Sequence, residues 1–158
     1  MTKTGVHQII EVNRYSSWKK LLRVTAYVLR FIRRSRKDNS LELCAKEVRS
    51  AEELWIKSIQ YQSFPDEICH LVTERKLPEP QFNLYLDGSG LMRCRGRIQN
   101  SLLNQEAKTP ILLPSKHHGV ELIIKDTHNR MLHSGVNTTL TAMRERFWIM
   151  RGDRKSVV

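Results

Sequence analysis

The spacing of the apolar residues changes twice along this chain of 158 residues, and that change limits its fold more than any other feature. Between Trp18 and Ile32 the residues Trp18, Leu21, Leu22, Thr25, Val28, Leu29 and Ile32 recur at intervals of three and four. That interval lines up one face of a helix. At Phe82, Leu84 and Leu86 the apolar positions instead alternate with Asn83 and Tyr85, which is the period of a strand. Beyond Pro114 the helical interval returns. Neither an all-helical bundle nor an all-β sandwich accommodates both periods. The pattern predicts an α+β chain, mostly helical, with one small antiparallel β-hairpin.

The elements follow from this pattern and its punctuation. Ser16 or Ser17 can cap the first helix, because a short hydroxyl accepts from a free helix amide. That helix runs about five turns into the charged segment RRSRKDNS. A second helix is expected after Asn39 or Ser40. Its apolar positions are Leu41, Ala45, Val48, Leu54, Trp55 and Ile59, with Glu47, Glu52 and Glu53 facing outward. It ends near Phe64, since Pro65 disfavours helix in the residue before it. Asp66, Glu67, Ile68, Leu71 and Val72 predict a short third helix with acids at its positive end. Asp87–Gly88–Ser89–Gly90 is the hairpin turn, and Leu91, Met92, Cys94 and Ile98 carry the return strand. Arg93, Arg95 and Arg97 on that strand suit either phosphate contacts or protection of a strand edge. Residues 99–109 read as a polar loop, and Ile111–Leu112–Leu113 as a short extended piece between prolines. Two more helices are expected. One covers about His117–Met131, with Val120, Ile123, Ile124 and Met131 inward. The other covers about Asn137–Phe147, with Leu140, Met143 and Phe147 inward.

Charge narrows the partners. The chain carries 27 Lys and Arg against 16 Asp and Glu, a net of +11. Residues 1–50 hold +8 of it, residues 51–100 hold −1, and residues 101–158 hold +4. Basic blocks at both ends suit a polyanion, or simply well-solvated helix faces. No apolar run approaches the roughly 20 residues that a bilayer span requires, so no membrane partner is expected. The N-terminal segment has no secretory-signal pattern. Cys44, Cys69 and Cys94 are too few and too scattered for a disulfide framework, so free thiols are expected.

Little catalytic chemistry is legible. There is no phosphate loop, nucleophile elbow or Cys/His dyad motif, and no spaced carboxylate cluster of the kind that holds two divalent metals. No enzymatic activity is expected. His117–His118 begins a helix and reads as a polar cap region rather than an acid–base pair. The pair His128 and His133, five apart at a helix end before Gly135, has ring nitrogens suited to zinc. By spacing alone the two serve equally as surface or capping histidines.

The surrounding residues add a resemblance. Residues 110–149, PILLPSKHHGVELIIKDTHNRMLHSGVNTTLTAMRERFWI, closely resemble the zinc-binding N-terminal domain of integrases from BEL/Pao-type LTR retrotransposons. SSWKKLLRVTAYVLRFIRR (16–34) resembles the segment after ribonuclease H in the same polyproteins. AEELWIKSIQ (51–60) and LYLDGSGLMRCRGRI (84–98) resemble the stretch leading into the integrase. The resemblance implies a helical connector (1–76), a β-hairpin extension (77–114) and a helical zinc-binding domain (115–158). It also implies a His-His-Cys-Cys site in which His128 and His133 are the histidine ligands. The family's Cys-x-x-Cys pair lies downstream of the second histidine, and the chain closes at Val158 before it. The zinc-binding domain is therefore expected to be truncated, with zinc as a cofactor of an incomplete site.

The function so implied is non-catalytic: nucleic-acid binding and integrase assembly in DNA integration. The partners would be the DNA ends of the element and other integrase subunits. Arg130, Arg144, Arg146, Arg151, Arg154 and Lys155 are the expected phosphate contacts. The alternative is a protein-interaction module, or an inactive transposon remnant, without specific DNA binding.

Overall fold

The computed structural model describes residues 6–32, 42–73, 83–95, 105–132 and 135–150. Two 3₁₀ turns, Val6–Gln8 and Val12–Arg14, precede helix α1 (Trp18–Ile32). Helices α2 (Ala45–Ser63) and α3 (Pro65–Val72) follow, then strands β1 (Leu84–Leu86) and β2 (Met92–Cys94). A single helical turn, α4 (Gln105–Lys108), leads into β3 (Ile111–Leu113). Helices α5 (His118–Arg130) and α6 (Val136–Arg144) lead to β4 (Phe147–Ile149).

The fold is α+β, as the periodicity predicts, but the sheet is larger than a hairpin. Its four strands lie in the order β1-β2-β3-β4. β1 pairs antiparallel with β2, and β2 antiparallel with β3, while β3 and β4 run parallel. Phe147, expected at the end of the last helix, therefore opens a strand instead. Phe147, Trp148 and Ile149 are all apolar, so unlike β1 they display no alternation. What makes Phe147–Ile149 a strand is a neighbour, β3, which offers its free edge about 35 residues back in sequence. Ile111 N–H donates to Arg146 O and Met150 N–H to Leu113 O, bracketing the parallel pair.

Helix α1 matches its expected span, with Trp18, Leu21, Leu22, Thr25 and Ala26 buried. The Lys20 amide lies 3.4 Å from the Ser17 hydroxyl, the expected capping position. Helix α2 starts at Ala45, later than Asn39 or Ser40. The signal that sets its start is Glu47, whose carboxylate accepts from the Cys44 amide at 2.9 Å, as the third helical residue of a capping box does. Leu41 lies outside the described residues, as do Phe82, Arg97 and Ile98.

Two expected outward glutamates face neighbours instead. Arg30 donates to both carboxylate oxygens of Glu47, at 2.7 and 2.6 Å, joining α1 to α2. This hydrogen bond, with that from the Cys44 amide, brings the Glu47 carboxyl down to about 2. Glu52 accepts from Arg146 at 3.1 Å.

The main core joins Trp18, Leu21 and Leu22 of α1 to Trp55, Ile56 and Ile59 of α2. It continues through Ile111 and Leu113 of β3 to Val120, Leu122 and Ile123 of α5, and to Met143 and Phe147. Residues from all three segments, 1–76, 77–114 and 115–158, contribute to it. Ile124 is 38% exposed, so it is not the core residue that the sequence suggests; Leu122 and Thr127 are buried instead. Helix α5 packs on α1, α6 and the second 3₁₀ turn, and Leu122 faces that core.

Inside this core two polar side chains are fully used. The Trp55 indole donates to Thr25 Oγ1 at 2.8 Å, and Thr25 donates to Leu21 O at 2.8 Å. Gln60 bonds to three backbone groups of β2 and β3. Among the described residues no buried side-chain nitrogen or oxygen lacks a partner.

Histidines tie the N-terminal turns and α5 to this core. His7 Nδ1 lies 2.7 Å from the Ser58 hydroxyl, and His118 Nε2–H donates to Tyr15 O at 3.0 Å. His117 caps α5, its Nδ1 accepting from the Gly119 amide at 3.0 Å. This agrees with the cap role expected for the pair. Burial, reinforced by the adjacent His118, lowers the His117 pKa below its ordinary 6.5. The folded chain thus favours the neutral ring. The stability it contributes is complete above 6.5 and is lost as pH falls from there through the lowered folded value. Urea midpoints should therefore drop between about pH 8 and about pH 5, and His117→Asn, which still caps, should reduce that drop. An unchanged drop in the variant would assign the pH dependence elsewhere.

Candidate metal corner and nucleic-acid surface

The corner between α5 and α6 holds the one described member of the expected zinc pair. Thr127 and Ile123 hold the inward side of α5, with Thr127 Oγ1 donating to Ile123 O at 2.9 Å. One residue on, His128 sits half-buried in the last helical turn. Its Nδ1 lies 3.2 Å from the hydroxyl of Thr139, a buried residue of α6. The imidazole therefore joins the two helices, and its ring orientation is set by a side chain from the facing helix. Metal-ligating histidines are oriented in this way by a partner on the other ring nitrogen.

The chain reverses directly after α5. Leu132 has φ of 51°, a left-handed conformation that costs a leucine roughly 1–2 kcal/mol. Its side chain is 89% exposed, so burial does not offset that cost. Glycine or asparagine is the ordinary residue at such a helix end. His133 is the next residue and lies outside the described residues.

Of the six expected phosphate contacts, Arg151, Arg154 and Lys155 also lie outside the described residues. Arg130 is half-exposed at the end of α5, its Nε 3.3 Å from the Asp126 carboxylate. Asp126 also lies 3.8 Å from Lys19, linking α5 to α1. Arg144 is exposed in the last turn of α6. Arg130 and Arg144 sit on the two helices that His128 joins.

Arg146 is engaged elsewhere. It bonds to Glu52 at 3.1 Å, lies 3.9 Å from Glu106, and its guanidinium stands 5.0 Å from the centre of the Phe147 ring. It lines an open cleft of about 360 Å³ between α2 and the sheet, with Arg49, Glu52, Glu53, Arg93 and Glu106. Three bases and three acids cancel there, so the cleft offers a phosphate no net attraction.

The two described arginines of the hairpin, Arg93 and Arg95, pair within the fold. β2 is not an edge, because β3 pairs on its other side. Arg93 donates to Asp87 at 2.6 Å and to Thr109 O at 2.8 Å. Burial alone would push the Asp87 carboxyl up. The Arg93 guanidinium and the amides of Leu91 and Ser89 together outweigh it and hold the carboxyl below its ordinary value. Arg95 stacks over Tyr85 at 4.6 Å.

The cysteines are placed apart from the His128 corner in the chain. Cys94 is buried in β2 with its thiol 3.7 Å from Pro110 O, and burial raises its pKa. Cys44 and Cys69 are exposed, beside the start of α2 and in α3. The residue that sequence reasoning missed is Thr139. Its signal was available in position, since it lies one turn before Met143 on the inward face of α6.

No family model, no curated protein and no solved structure matches this chain.

Proposed function

We propose that the chain is a non-catalytic nucleic-acid-binding and assembly region of the BEL/Pao integrase type, acting through the α5–α6 corner. One observation carries this reading: the ring of His128 is oriented across the corner by Thr139, 3.2 Å from its Nδ1. The sequence resemblance around residues 110–149 supports it. So does the turn at Leu132, whose unfavourable backbone immediately precedes His133. His128 and His133 would be the histidine ligands of a zinc ion. They are two of the four ligands that a closed structural site takes. Bound zinc would lock the corner between α5 and α6. Arg130 and Arg144, on those two helices, would then meet phosphates of the element's DNA ends.

The test reads zinc and DNA in the same full-length protein. Zinc should bind weakly, and His128→Asn should abolish the binding. Duplex DNA should bind more weakly as salt rises from about 50 to about 200 mM, and Arg130→Ala with Arg144→Ala should flatten that dependence. Submicromolar zinc binding by a monomer lacking all three cysteines would overturn the half-site reading. DNA binding that is indifferent to salt would overturn the phosphate contacts. It would favour the rival, a protein-interaction module whose basicity is incidental.

A further inference from the structure

Helix α1 presents a second face that the core leaves unused. Its inward side carries Trp18, Leu21, Leu22, Thr25 and Ala26. On the opposite side Lys20, Arg23, Tyr27 and Phe31 follow one another at intervals of three and four, and so form one stripe. All four are exposed, Tyr27 by 43% and Phe31 by 86%. α1 contains four basic residues and no acidic one. Arg30 is held by Glu47 and stands 5.8 Å from the centre of the Tyr27 ring, beside the stripe rather than in it.

Leaving a phenyl ring in water forgoes the free energy of burying it. Here Phe31, largely in water, and Tyr27, partly so, stand one helical turn apart and in line with two cations. Cations along a track with interleaved aromatic faces are the means by which proteins hold single-stranded nucleic acid. The cations meet phosphates and the rings stack on unpaired bases. We propose that the outer stripe of α1 binds single-stranded nucleic acid, with Lys20 and Arg23 on phosphates and Tyr27 and Phe31 stacked on bases.

Charge selects this occupant over others. A stripe with two cations, on a helix without a carboxylate, complements a polyanion. A duplex hides its base faces in its own stack and so offers the rings nothing to cover. A membrane surface takes up a helix through a broad apolar face. The apolar face of α1 is already buried in the core, and the stripe offers only two rings. The inference shares with the proposed function only the class of partner. It concerns a different surface and a different form of nucleic acid.

The experiment uses the full chain with a labelled single-stranded oligonucleotide and the duplex of the same sequence, read by fluorescence anisotropy against salt. Tyr27→Ala and Phe31→Ala should each raise the single-strand Kd by at least about fivefold and leave the duplex Kd unchanged. Lys20→Gln with Arg23→Gln should flatten the single-strand salt dependence, by a slope of roughly 0.7 for each phosphate no longer neutralised. Lys20, Arg23 and Phe31 are exposed, so their variants should leave the melting temperature unmoved, and the melting temperature of every variant serves as the control for folding. Equal losses for single strand and duplex, or no single-strand binding, would overturn the proposal. So would Phe31-dependent binding to vesicles of anionic lipid without binding to the oligonucleotide. Arg130→Ala with Arg144→Ala is expected to weaken the duplex alone. If it does not, the α5–α6 reading fails while the α1 stripe is still judged on the single strand.

Discussion

Gln60→Leu is expected to cost about 3–5 kcal/mol of folding stability, a large part of what a domain of this size possesses. Gln60 lies in α2 and is 1% exposed. Its Nε2 donates to Met92 O and to Leu112 O, each at 2.8 Å, and its Oε1 accepts from the Met92 amide at 2.9 Å. β2 and β3 pair through Arg93 and Ile111. Continuing that antiparallel register would set Met92 opposite Leu112. The Gln60 amide stands between them and satisfies both sides, so a helix side chain takes the place of a rung of the ladder. Leucine fills similar space but leaves two carbonyls and one amide buried without partners. Gln60→Glu should be worse, because a carboxylate would face two carbonyl oxygens. Urea denaturation at neutral pH reads both variants. A Gln60→Leu protein within about 1 kcal/mol of the parent would mean that β2 and β3 close on each other when the amide is removed.

Trp55→Ala is expected to cost a comparable amount, about 3–5 kcal/mol, chiefly through the cavity it leaves. The side chain is fully buried between α1 and α2, the helix pair with the most extensive mutual packing. The polar part of its role can be separated. Trp55 donates to Thr25 Oγ1, whose own proton goes to Leu21 O. Thr25→Val keeps the shape and removes the acceptor, so the indole N–H is stranded at a cost of about 1–3 kcal/mol. Trp55→Phe removes the donor as well as some volume, yet leaves the Thr25 bond to Leu21 intact. It should fall well short of the alanine variant. Thermal or urea unfolding should rank the alanine variant as the least stable of the three. An alanine variant as stable as Thr25→Val would show that the cavity is refilled by its neighbours.

These two positions show where local reading succeeds and where it stops. Trp55 stands at a regular interval with Ile59 and reads as core from the sequence. Gln60, one residue further, reads as an ordinary polar position between apolar ones. Nothing near it in sequence announces that Met92 and Leu112 need its amide, because those groups lie 32 and 52 residues away. Glu52 and Arg146 lie 94 residues apart, and their ion pair ties α2 to the start of β4.

The candidate site divides in the same way. That His128 ends a helix was legible, because α5 has a clear apolar period and its end is marked by Gly135. That Thr139 would orient the ring was not, because it depends on the angle at which α6 returns. The stripe on α1 lay between the two. The interval of Lys20, Arg23, Tyr27 and Phe31 is a property of the sequence, but only packing shows that this is the side left in water.

The sequence by itself determined five of the six described α-helices (α4 falls in the expected loop), the hairpin, the sign and the uneven distribution of charge, and the α+β class. Each of these is a local matter of period, caps, turns and composition. Tertiary structure alone decided that the hairpin extends to a four-stranded mixed sheet, that Phe147 leaves the helix and with Trp148 and Ile149 pairs with β3, and that Arg146 is held by Glu52. Each of those outcomes joins groups far apart in the chain. The physical reason is that a buried backbone amide, carbonyl or ion must find a partner wherever the fold brings one within reach, and that reach is set by packing rather than by neighbours in sequence.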